Sequence, residues 1–133
     1  MTGWRTFSLR ILKASWGIAI DLQARAVLAE DPPHDLLSVS PRVWLDVSGV
    51  QLPDADIKQL VRGLTVMAPA IENKNQDAYV IIEVGRVSYT PTDYQPEGMA
   101  AAMIGWVAEE FGLDSPVIDV YFDKNANRYV FSI

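Results

Sequence analysis

The chain contains no cysteine. That excludes disulfides, thiolate nucleophiles and cysteine-based metal sites, and it accords with a cytoplasmic setting. It contains one histidine, His34, set between Pro33 and Asp35 in a polar stretch, where it reads as plain surface. A Ser-His-Asp arrangement or a histidine metal site would need partners that this chain lacks. Gly49, Gly63, Gly85, Gly98, Gly105 and Gly112 stand singly, so no glycine-rich loop is available to cradle phosphate. No Asn-x-Ser/Thr sequon occurs. No run of 18 apolar residues occurs, so no membrane-spanning helix is expected. The stretch Met1–Phe7 lacks a charged segment followed by an apolar one, so no signal peptide is expected. Positive charge is also scarce. Eleven Lys and Arg face 17 Asp and Glu, a formal net charge of -6, and the basic residues are scattered. This balance argues against a nucleic-acid partner, because such binders show a basic stripe. No catalytic residue, cofactor or metal is assigned, and the reading leans away from an enzyme.

What is present is periodicity. The 133 residues match the size of one domain, 1–133, and half of them are hydrophobic. Trp16, Ile18, Ile20, Leu22, Ala24, Ala26 and Leu28 alternate with residues that include Asp21, Gln23 and Arg25, which predicts a long strand with one buried face. Phe7, Leu9 and Ile11 predict a shorter strand before it, the two joined as a hairpin through Ala14 and Ser15. Glu30 to Pro41 reads as a loop with a short helical turn at Asp35–Leu37. Arg42 to Val50 alternates again.

The period then changes. Ile57, Leu60, Val61, Leu64, Met67 and Ile71 recur at three and four residues, predicting a helix near Pro53–Ala68 that Pro69 terminates. Glu72 to Asp77 is a polar connection, and Ala78 to Tyr89 is a buried strand rich in β-branched residues. A second helix is expected near Pro96–Phe111, with Met99, Met103, Trp106 and Val107 inward and Gly112 as its C′ residue. Val117–Asp123 and Tyr129–Ile133 form a terminal hairpin, turned by Lys124-Asn125-Ala126-Asn127. The order β-β-β-α-β-α-β-β predicts an α+β fold: a mainly antiparallel sheet with two helices packed on one face. Ile82, Val84, Leu60, Leu64, Met103 and Trp106 are the expected core.

Strand parity then assigns the other face. With the apolar side of each strand turned to the helices, Trp44, Asp46, Tyr79, Ile81, Glu83, Tyr89, Asp119, Tyr121 and Asp123 fall opposite. That surface is aromatic and acidic, a composition suited to docking another protein. Trp44, Tyr79 and Tyr121 are the expected anchors, and Asp46, Glu83 and Asp119 would steer a basic partner. Two other arrangements compete. The first hairpin could cover this face and make the aromatics core, or the three acids could converge as a hard-cation or acid–base site.

One stretch carries a resemblance. Leu52-Pro53 with Ile57, Val61 and Gly63 leads to Tyr79-Val80-Ile81-Ile82-Glu83-Val84, then to Tyr89–Pro96 and Ala100-Ala101-Ala102-Met103. In order and texture this segment, 52–112, resembles domain IV of translation elongation factor G. The resemblance implies a split β-α-β arrangement with helices on one face, and a ribosome-associated role. Fold alone does not deliver function. The leading reading is therefore a small acidic non-enzymatic interaction protein, of the inhibitor or immunity type, that binds a basic partner protein. A small-ligand-binding domain or enzyme with a pocket between sheet and helices is the second reading.

Overall fold

The computed structural model describes residues 3–133. Met1 and Thr2, at the head of the stretch read for a signal peptide, lie outside them. The described residues form β1 (Arg5–Leu12), β2 (Gly17–Ala29), β3 (Leu37–Ser40), β4 (Val43–Asp46), α1 (Asp54–Lys74), β5 (Tyr79–Ser88), a 3-10 turn (Pro91–Asp93), α2 (Glu97–Phe111), β6 (Asp119–Asp123) and β7 (Arg128–Ser132). Five strands make one sheet in the order β1-β2-β5-β4-β3. Its pairs are antiparallel except β4 with β5. The α+β class, the antiparallel sheet and the two helices on one face are thus as the periodicity predicts.

The α1 crossover explains the single parallel pair, since a chain that leaves β4 through a helix returns in the same direction. β4 and β5 are direct neighbours. A split β-α-β arrangement would place another strand between them. The terminal hairpin also differs from expectation. β6 and β7 pair only with each other, as a separate two-stranded sheet. This hairpin docks through side chains. The buried Tyr129 receives a hydrogen bond from the Lys13 N–H at 2.9 Å, and its hydroxyl donates to the Trp16 carbonyl at 2.7 Å. Gln95 holds the Tyr129 backbone from both sides, at 2.6 and 2.8 Å. Trp16, Phe122 and Tyr129 meet edge to face.

The core lies between sheet and helices. Ile82, Val84, Leu60, Leu64, Met103 and Trp106 are all buried there, as expected. α2 is apolar nearly all round, and small residues let its neighbours close in. Gly98 makes room for Ile18 and Ile20, and Gly105 for the Phe7 ring. Gly63 of α1 lies directly against the Ala100 carbonyl of α2.

Three local expectations need correction. Pro69 lies inside α1, which continues to Lys74. An internal proline costs about 3 kcal/mol through its missing N–H. Here the last turn is held by burial of Ile71, by Asn75, which caps the Ile71 carbonyl, and by Lys74, which donates to the Phe111 carbonyl. The loop 30–41 contains the short strand β3. The expected turn at Asp35–Leu37 is instead a left-handed Asp35, φ 62°, leading into β3. Finally, Glu72 joins the end of α1 to the β3–β4 turn. Its carboxylate accepts from the Ser40 hydroxyl at 2.7 Å and the Arg42 N–H at 2.8 Å.

Two predictions follow from this packing. A methyl at Gly63 would overlap the Ala100 backbone, so Gly63→Ala should cost about 1–3 kcal/mol, read as a lowered urea midpoint. The hydrogen bond from Ser40, with that from Arg42 N–H, holds the Glu72 carboxyl below the ordinary glutamate value. A lowered folded-state pKa stabilises the fold above the unfolded value and loses that contribution as pH falls through the folded one. Glu72→Gln should therefore flatten the acid limb of the stability–pH curve while leaving its alkaline limb unchanged.

Candidate functional site

The helix-free face of the sheet is built by register. Val27 of β2, Ile81 of β5 and Trp44 of β4 stand side by side across three strands. One pair along, Arg25, Glu83 and Asp46 form a second row. Tyr79 completes the first group, its ring 5.7 Å from that of Trp44 and inclined at 63°. Val27, Ile81, Trp44 and Tyr79 are half-buried, yet none belongs to the core cluster or to the side chains packed on it. β1 and β2 are the first two strands of the sheet itself. The hairpin therefore does not fold over this face, and the aromatics are not a second core.

The acids of this face have local partners. Glu83 receives Arg25 in a two-pronged contact, both distances 3.2 Å. Asp46 accepts from the Ser48 N–H at 2.9 Å and from its hydroxyl at 2.6 Å. Farther out, Asp21 accepts from the Ser8 hydroxyl at 2.7 Å and from Arg10 at 2.9 Å, and these bonds, Ser8's first, hold its carboxyl below the usual aspartate range. Glu83 and Asp21 are thus paired with arginines in place, whereas Asp46 is held by neutral donors.

Sequence reading missed Trp4 and Arg25. The Trp4 ring lies across the face over Gly85, where any side chain would collide with it. The Arg25 guanidinium carbon stands 4.4 Å from the ring centroid, a cation–π contact. An isolated glycine within a strand was the available signal, since it marks close approach or a bulge. It marks both. Gln23 pairs with Arg86 and Ala24 with Val84, so Gly85 is the extra residue of a β-bulge.

The bulge also corrects the parity. Beyond it, β5 turns over, and Tyr89 points to the helix side. There Tyr89 stacks on Tyr94, ring centroids 3.7 Å apart. Both hydroxyls donate to Asp56, which is 2% exposed in the first turn of α1, Tyr94 at 2.5 Å and Tyr89 at 3.1 Å. Burial, reinforced by the Asp56 carboxylate, pushes both phenols above the ordinary tyrosine value.

Of the six expected docking residues, the sheet brings Trp44, Asp46, Tyr79 and Glu83 together. Asp119 and Tyr121 lie on β6, outside that sheet, and so does Asp123. Asp46, Glu83 and Asp119 therefore do not share one surface, and among the described residues no group of three or more metal-binding side chains is gathered. Tyr121 is exposed beside a separate groove lined by Lys13, Ser15, Phe122 and Lys124. Another groove, between β4 and the start of α1, has Leu36, Leu37, Leu45, Val47 and Ile57 as its apolar lining. His34 is exposed. Comparisons with models of protein families, with curated proteins and with solved structures return no match to this chain.

Tyr94→Phe would leave a buried Asp56 oxygen without its donor, at a cost of about 1–3 kcal/mol. A raised phenol pKa stabilises the fold below the unfolded value and loses that contribution as pH rises. In wild type, absorbance titration should show these two tyrosines ionising only with alkaline unfolding.

Proposed function

We propose that this protein is a non-enzymatic binding protein that docks another protein on the open face of its sheet. The observation that carries this reading is the row Val27–Ile81–Trp44 with Tyr79 beside it, four apolar or aromatic side chains outside the core on the face opposite both helices. Aromatic side chains supply much of the contact energy at interfaces, because they bury large area at small entropic cost. The row Arg25–Glu83–Asp46, in which Arg25 and Glu83 are already ion-paired, borders this patch and supplies orientation, since such charges contribute specificity more than affinity. The net charge of -6 favours a basic partner, as an inhibitor or immunity-type protein would have.

The test is the double variant Trp44→Ala with Tyr79→Ala. A partner captured from the native host by the wild-type protein and then purified should bind the variant more weakly by about 2 kcal/mol or more, roughly 30-fold. The thermal midpoint should change little. Equal affinity of variant and wild type for that partner would remove the open face from the function.

A further inference from the structure

The two edges of the sheet are treated differently. β3 has four residues and its pairing with β4 shifts between Ser38 and Ser40, which blunts it as a template for another strand. β1 has eight residues, an unshifted register with β2, and neither proline nor lysine along its length. Among the described residues no strand lies beyond it.

Its free hydrogen-bonding groups can be assigned. In an antiparallel ladder, alternate residues aim both N–H and C=O at the neighbouring strand. Arg10 Nη1 lies 2.8 Å from the Leu9 carbonyl oxygen and 3.4 Å from that of Ile20, its register partner. Both oxygens therefore sit between the strands. Phe7, Leu9 and Ile11 turn their backbone groups to β2, and Thr6, Ser8 and Arg10 turn theirs outward. The side chains show the same incompleteness. Phe7, Leu9 and Ile11 are only half-buried on the helix side, whereas their partners Leu22, Ile20 and Ile18 are fully buried.

We infer that β1 pairs antiparallel with the β1 of a second copy about a two-fold axis at Ser8, joining two five-stranded sheets into one of ten strands. The strand is self-complementary in this register. Ser8 meets its own counterpart and Thr6 meets Arg10 of the second copy, so the outward N–H and C=O groups of all three are satisfied. On the helix side, Phe7 meets Leu9 of the second copy and extends the half-buried apolar row. Arg5 faces Ile11, so no like charges stand opposite, an arrangement that would oppose pairing. The helices of both copies lie on the same side of the joined sheet. This interface is separate from the open-face reading and does not depend on it.

The test is sedimentation of the full chain over a range of concentrations, with amide exchange read residue by residue. Monomer should give way to dimer as concentration rises, and more so with added salt, because each copy carries -6 and screening weakens their repulsion. Exchange at the Thr6, Ser8 and Arg10 amides should slow with concentration, while the Phe7, Leu9 and Ile11 amides stay slow throughout. Ser8→Pro removes an outward N–H and no backbone bond to β2, although it also removes the hydroxyl that donates to Asp21, and Thr6→Lys places a charge on the edge. Each should return the protein to monomer, and the second keeps the test open should the first not fold. Monomer at every concentration would overturn the proposal. A dimer that persists in Thr6→Lys, or one whose protected amides lie elsewhere, would do the same.

Discussion

The structure depends on enclosing α2. A helix apolar nearly all round must be covered on every side, since each exposed large side chain forfeits about 1.5–3 kcal/mol of burial. The sheet lies beneath it, α1 runs beside it, and the residues after Phe111 return to the same core. Close approach is possible because Gly63, Gly98 and Gly105 put no side chain in the way. Both helices are therefore committed to one side of the sheet. No helix covers the other face of the sheet as a direct result, and β1 stands at its edge.

The bulge at Gly85 divides β5 into two halves with opposite duties. Its first half gives Val80, Ile82 and Val84 to the core and Tyr79, Ile81 and Glu83 to the open face. Its second half carries Tyr89 round to Asp56. One inserted residue thus seats Trp4 on one side of the sheet and pins the start of α1 on the other. Substitution at Gly85 would be felt on both, because a side chain there meets the Trp4 ring.

Much of this was legible in the sequence. The period-two run from Trp16 and the helical stripe from Ile57 give the elements, because periodicity reports which side of an element is buried. The illegible parts are those that distant residues decide. Pro69 reads as a terminator, yet contacts made by Ile71, Lys74 and Asn75 carry α1 past it. β3 is four residues long, too short for a pattern to declare itself. Parity carried Tyr89 to the wrong face because a bulge breaks the period. Asp119 and Tyr121 alternate correctly on β6, but alternation does not say which sheet a strand joins. Of the open face, the part on adjoining strands was therefore readable, while Trp4 and Arg25 became visible only once Gly85 was placed.

The anchoring of Tyr129 has a consequence for the order of assembly. Its partners Trp16, Lys13 and Gln95 are made long before it, by 113, 116 and 34 residues. The strands of the five-stranded sheet and both helices precede the hairpin in the chain, so the Trp16 ring lacks Tyr129 and Phe122 against it until β6 and β7 arrive. Through that interval the chain presents an aromatic surface that the finished fold partly covers, and docking of the β6–β7 hairpin is the step that covers it.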